Sequence, residues 1–414
     1  MISRREFLRT SSAAVAAAAW TGNRAVAAGS TTPLVREIQR SVIWNDRGKN
    51  RAWFHPRACM IPGNPPVAFM TLQRISGSDY FHPVQWSMSS DLGKTWSTPQ
   101  PIPGFGRTPL PGGLENGVCD VVPTYHAKTR SVLAMGHNVY YQNGRLTQPS
   151  TARHPVYAVR DAQGNWSELR KLAWEDPRAT AIYTCGCSQR VTLDNGDLLV
   201  PLSFGPLDRK DRAVGSVLCA FDGQRLEVRK ATVNELRLPV GRGLLEPSLT
   251  LFRGRFYMTI RAEDGCGYVS ASDDGLEWSK PQPWAWDDGT RLAMSTTQQH
   301  WVTHSDGLLL AYTRKSEENA KVFRWRAPLY VAQVELSASG PRLLRATEQI
   351  ALPLVGDGIK HPDGVARMGN FHVTAASPQE SWITVGECLP KDGWTGDTLL
   401  ARLHWSTPNR LSET

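Results

Sequence analysis

Short apolar runs between turns rich in glycine and proline make up nearly the whole chain beyond its first thirty residues. Val67-Ala68-Phe69-Met70, Leu198-Leu199-Val200-Pro201-Leu202 and Leu308-Leu309-Leu310-Ala311-Tyr312 are typical. No stretch outside the N-terminal leader sustains a 3.6-residue apolar period, so the pattern predicts an all-β fold. One unit recurs: a strand, a turn, a second strand of the form Gly-x-Leu-Leu, a loop, and a third strand running into a turn. It starts near Arg57, Val118, Cys187, Glu246, Thr297 and Met368, at intervals of 51 to 71 residues. Each interval accommodates one four-stranded blade. Six units predict a six-bladed β-propeller, with seven blades the alternative. Arg36 to Trp44 precedes the first unit as a lone strand. Pairing beside Leu399 to Trp405 would close the ring and remove two exposed edges.

Two units carry a sharper turn motif. Ser89-Ser90-Asp91-Leu92-Gly93-Lys94-Thr95-Trp96 fits Ser-x-Asp-x-Gly-x-Thr-Trp throughout, Ala271 to Trp278 fits it at Asp273, Gly275 and Trp278, and Asp161 to Trp166 is a degenerate third copy. The aspartate accepts from backbone N–H groups, glycine supplies a positive φ, and tryptophan packs under the turn. These are Asp-boxes (BNR repeats), and through them the chain resembles the sialidase (neuraminidase) superfamily. They are structural, so Asp91 and Asp273 are not catalytic candidates.

The leader changes the picture of where the protein works. Ser3-Arg4-Arg5-Glu6-Phe7-Leu8 is a twin-arginine motif, followed by a weakly apolar run and by Ala25-Val26-Ala27, with small residues at the cleavage positions. Residues 1–27 read as a Tat signal peptide and 28–414 as one propeller domain, exported to the periplasm or secreted. No later segment has eighteen consecutive apolar residues, so no further membrane span is expected. The formal net charge is +9, and four arginines of the leader contribute to it. A mild basic excess suits an acidic substrate, and the absence of long Lys/Arg runs argues against nucleic acid. Seven cysteines are an odd number for an oxidising compartment. They read as buried thiols with at most one disulfide. Cys185-Gly186-Cys187 is too short for a zinc knuckle, so no metal and no cofactor are assigned.

In a propeller the first strands of the blades line the central channel, so reactive residues are sought at the starts of the units. The sialidase resemblance implies three arginines that clamp a carboxylate. His55-Pro56-Arg57-Ala58-Cys59-Met60-Ile61-Pro62 supplies Arg57, Leu245-Glu246-Pro247 through Ile260-Arg261 supplies Arg261, and Arg326-Ala327-Pro328 supplies Arg326, with Arg324 second. The family's acid/base aspartate falls on Asp79, in the loop Gln73 to Phe81, where a partly apolar setting would favour general-acid use. Its glutamate falls on Glu246. The tyrosine nucleophile has no counterpart: no tyrosine follows Tyr330, and the corresponding segment reads Gly369-Asn370-Phe371-His372. His55 and His137 are the candidates to replace it as bases near neutral pH. His55 lies two residues before Arg57 and so shares its face, and His137 is placed at the end of a second strand.

Three functions follow as expectations. The first is an exo-acting glycoside hydrolase removing a terminal acidic sugar, with Arg57, Arg261 and Arg326 as the clamp, Asp79 as acid, and Glu246 orienting an arginine or activating water. The second is a lyase or rhamnosidase cutting rhamnose–glucuronate linkages through His55 or His137. The third is a glycan-binding propeller without catalysis. Fold alone does not choose among them.

Overall fold

The alternation of apolar and polar side chains is realised as six antiparallel sheets. The computed structural model describes residues 33–49, 51–147, 153–206 and 209–412. The signal peptide lies outside the described residues. Each sheet is one blade of a six-bladed β-propeller. The innermost strands are Trp53–Ile61 in blade 1, Leu114–His126 in blade 2, the broken pair Ile182–Thr184 and Val191–Thr192 in blade 3, Leu245–Phe252 in blade 4, His300–His304 in blade 5 and His372–Ser377 in blade 6. No helix among the described residues is long and apolar enough to cross a membrane.

The ring is closed by the N-terminal strand. Val35–Trp44 is the outer strand of blade 6 and pairs antiparallel with Thr398–Trp405, with Glu37 opposite His404 and Val42 opposite Leu399. Joining the two ends of the chain in one sheet satisfies the edge of the last blade.

The core is a set of apolar wedges between neighbouring blades. Leu133, Tyr157, Leu198 and Phe204 fill the wedge between blades 2 and 3, Tyr257, Trp284, Trp301 and Leu310 that between blades 4 and 5, and Leu329, Val331, Ile383 and Leu403 that between blades 5 and 6. Because both faces of each sheet are covered, central strands such as Leu198–Gly205 are buried at every position.

The turns between the third and fourth strands are held by aspartates. Asp91 Oδ1 accepts from the backbone N–H of Lys94 (3.0 Å) and Thr95 (2.9 Å) and from Ser89 Oγ (2.8 Å). The Thr95 hydroxyl, which donates to Oδ2, is the largest of the influences that, with these bonds, hold its carboxyl below the usual carboxylate range. Gly93, at φ +75°, lies against Trp382 of blade 6, where a Cβ would stand 3.1 Å from the indole. In blade 4 the turn is one residue tighter than the aligned motif implied. Asp274, not Asp273, accepts from Leu276 and Glu277 N–H (2.8 Å each) and from Ser272 Oγ (3.0 Å). Asp273 points to solvent and pairs with Arg255. Two adjacent aspartates left the register open in sequence, and the position of Ser272 decides it.

Candidate functional site

Bulges at one end of the innermost strands create the site. The ladder of blade 1 shifts register between Phe54 and Arg57, that of blade 2 between Cys119 and Val122, and that of blade 4 between Leu245 and Ser248. At each bulge one residue takes a left-handed conformation: His55 (φ 54°), Asp120 (φ 58°) and Glu246 (φ 45°). A bulge re-aims a side chain that regular pleating would send elsewhere, and all three line one cavity of about 270 Å³. Asp79, Cys187 and Arg324 line it too and also have positive φ (53°, 68° and 52°). Strained backbone is thus concentrated where side chains must converge.

Six arginines line this cavity against four carboxylates. Arg261 Nη1 pairs with Glu246 Oε1 at 2.6 Å, and Arg242 pairs with Glu263 at 2.6 Å. Arg153, Arg212, Arg324 and Arg326 have no carboxylate within ion-pair distance among the described residues. Arg326 has its Nε buried without a partner among the described residues. Burial, then the neighbouring Arg261 and Arg324, lower its pKa to about 9. A cationic wall without matching counter-charge is a seat for an anion.

The sequence-predicted residues fall as follows. Asp79, Glu246, His55, His137, Arg261 and Arg326 all line the cavity. Arg57 does not. It is wholly inaccessible, its Nη2 donating to Asp120 Oδ1 (2.8 Å) and Cys187 Sγ (3.1 Å). It therefore holds Asp120 and cannot reach a ligand; Arg324 stands beside Arg261 and Arg326 instead. Asp79 is solvent-exposed at the rim, so the expected apolar enclosure is absent. Its loop is pinned by Tyr141, whose hydroxyl donates to Asp79 O (2.9 Å) and accepts from Phe81 N–H (3.2 Å). His137 sits inside the strand Ser131–Gln142, which continues five residues beyond it, and not at its end. Asn370 lines the cavity where the tyrosine was sought, while Phe371 is buried in the core. No tyrosine lines the cavity among the described residues.

Asp120 is the principal residue that sequence reading missed. His55 Nε2 lies 3.3 Å from its Oδ1 and His137 Nε2 4.0 Å from its Oδ2. Burial opposes its ionisation, but His55, Arg57 and His137 outweigh that and hold its carboxyl well below the usual range. A signal was present: an acidic residue interrupts Val118-Cys119-Asp120-Val121-Val122 at the place Glu246 occupies in its own unit. All seven cysteines are buried and unpaired.

Neither histidine is poised near neutral pH. Burial pushes His55 to about 4, against the pull of Asp120, and His137 to about 3, with Arg153 adding to the effect. An unfolded chain takes up a proton on His55 as pH falls through about 6.5, whereas the folded protein resists to about 4. Folding stability should therefore drop across that window, by roughly 3 kcal/mol from His55 alone. Urea titrations at several pH values check this: His55→Gln should show a flatter decline than the parent. Identical slopes would mean that His55 does not titrate as its burial implies.

No family model matches the chain, and no curated protein matches it. Solved structures do. A protein of unknown function from Dyadobacter fermentans superposes with a TM-score of 0.64 at 14% identity, over 90% of this chain and 100% of that one. A Hadza microbial sialidase gives a TM-score of 0.61 at 17% identity, over 88% of this chain and 68% of that one. Trypanosoma rangeli sialidase in complex with sialic acid gives 0.56 at 13% identity, over 89% of this chain and 59% of that one. These likenesses define the class of fold: the chain has a sialidase-like six-bladed β-propeller.

Proposed function

We propose that this protein is an exo-acting glycoside hydrolase that removes a terminal acidic sugar from a glycan. The observation that carries the reading is the cluster Arg261, Arg324 and Arg326 in a cavity that also holds Asp79 and Glu246. The sialidase-like fold, shared with a structure that contains sialic acid, supports a carbohydrate ligand. The three guanidiniums receive the sugar carboxylate, and Arg326, lacking a counter-ion, gains most from it. Glu246 fixes Arg261 through their 2.6 Å ion pair. Asp79, at the rim, protonates the departing glycosidic oxygen. With asparagine in place of the tyrosine nucleophile, the standard retaining route is closed, and water attacks the sugar with Glu246 as the available carboxylate. Burial holds His55 to about 4 and His137 to about 3, which leaves both weak bases and counts against the lyase reading, which needs one of them to take a proton.

The test is a product screen on sialylated, uronate-capped and rhamnose-capped oligosaccharides. Free saturated acidic sugar is expected. Ultraviolet absorbance from an unsaturated uronate would instead mean elimination, and binding without any product would leave a lectin.

We further propose that the mature protein folds before export and works in the periplasm or outside the cell. Supporting this are the twin arginines and the seven buried thiols, because folding in a reducing compartment protects thiols from mispairing. Replacing Arg4-Arg5 by Lys-Lys should leave precursor in the cytoplasm on fractionation, since translocation depends on the pair. Undiminished export would remove this reading.

A further inference from the structure

One cluster on the cavity wall is not used by the proposed hydrolysis. Cys119 and His137 are directly opposite each other on adjacent antiparallel strands of blade 2, so their side chains share a face. In a regular strand the next residue, Asp120, would face away. The bulge after Cys119, with Asp120 at φ 58°, returns its carboxylate to the same side. Cys119 Sγ lies 3.4 Å from His137 Nε2 and 3.7 Å from Asp120 Oδ2, and His137 Nε2 lies 4.0 Å from Asp120 Oδ2. With ligand bonds of about 2.0–2.3 Å, the edges of a tetrahedron around zinc are about 3.3–3.6 Å long, so the two sulfur edges nearly fit and the His137–Asp120 edge needs about 0.6–0.7 Å of closure.

From this geometry we infer a site for one divalent transition-metal ion of the zinc class, held by Cys119 Sγ, Asp120 Oδ2 and His137 Nε2, with a fourth position open to the cavity. The donor set is the mixed thiolate, imidazole and carboxylate type that such ions prefer over calcium or magnesium. A thiolate and a carboxylate also supply the two negative charges that neutralise the ion, which offsets the nearby Arg153 and Arg212. Arg57 engages Asp120 through Oδ1 and leaves Oδ2 available. Cys187 likewise approaches Oδ1 (3.0 Å) and stands outside the set.

An independent feature fixes the imidazole. Its Nδ1 is buried with no hydrogen-bond partner among the described residues, and the ring rests against Gly186, where a Cβ would lie 2.4 Å from Cε1. Packing alone therefore aims Nε2 at Cys119 and Asp120. Cys185-Gly186-Cys187, the one close cysteine pair in the sequence, is not part of this site. Cys119 and His137 are eighteen residues apart and meet only through strand pairing.

The full mature chain, stripped with a chelator, is titrated with Co²⁺ and followed by absorbance. One equivalent should produce a thiolate-to-cobalt charge-transfer band and visible bands of four-coordinate intensity, both displaced by Zn²⁺. Cys119→Ser should abolish the charge-transfer band, His137→Gln should weaken binding at least about 10-fold, and Cys187→Ser should bind as the parent does. Absence of bands in the parent, or a charge-transfer band surviving in Cys119→Ser, overturns the inference. Should those variants misfold, X-ray absorption of the zinc-loaded parent decides. One sulfur at about 2.3 Å is expected, and none or two would overturn it. Neither readout uses glycosidase activity, so the outcome is separable from the hydrolase proposal.

Discussion

Asp79→Asn should lower kcat on a natural glycan by about 10²–10⁴ while KM changes little, as expected when a general acid is lost and binding is retained. The substitution is well suited to the question. Asparagine tolerates the left-handed backbone of this position (φ 53°). The contact that orders the loop, from Tyr141 to Asp79, goes to the main chain and survives. A second substrate separates acid catalysis from damage. An aryl glycoside with a good leaving group needs little protonation, so the variant should recover most of its rate there. An equal loss on both substrates would show that Asp79 does not protonate the leaving oxygen. Attention would then pass to Glu246.

How much of this was legible depended on whether local pattern and global fold agreed. The blades were legible because strands covered on both faces, such as Leu198–Gly205, leave unbroken apolar runs between turn residues. The closing strand was legible because Val35–Trp44 has no partner in the first unit and Thr398–Trp405 needs one. The cavity was legible only in part, because its residues sit where the period of two is broken. Counting in twos put His55 and Arg57 on one face of one strand, but a bulge lies between them. They meet instead at Asp120, with His55 on the cavity wall and Arg57 sealed behind it. Asp120 was hidden by the same device in blade 2. Arg153 and Arg212 reach the cavity from outside the first strands, and nothing local separates them from the other basic residues of the chain. Positions that break the local rule are where function collects, and tertiary contacts set them.

Arg326→Met should weaken binding of an acidic sugar by roughly 2–5 kcal/mol while leaving the fold as stable as before or more so. The two halves of this expectation have one cause. Arg326 is a cation held among burial, Arg261 and Arg324, which lower its pKa from the ordinary arginine range to about 9. Below about 9 the folded protein carries the full cost of that charge. As pH rises above about 9 the folded state sheds the proton before the unfolded chain does, so the cost is relieved. Removing the guanidinium removes the cost outright, whereas a bound carboxylate offsets it only when the charge is present. Affinity in the parent should accordingly fall as pH climbs past about 9, and Arg326→Met should be weak and insensitive across that range. Arg261→Met makes the contrast, because it strands Glu246 without its 2.6 Å partner and should lower thermal stability as well as affinity. Isothermal titration with the free acidic sugar, paired with thermal melts of both variants, measures each quantity separately. If Arg326→Met binds like the parent, or melts well below it, the residue is a structural cation and the carboxylate seat lies elsewhere on the cavity wall.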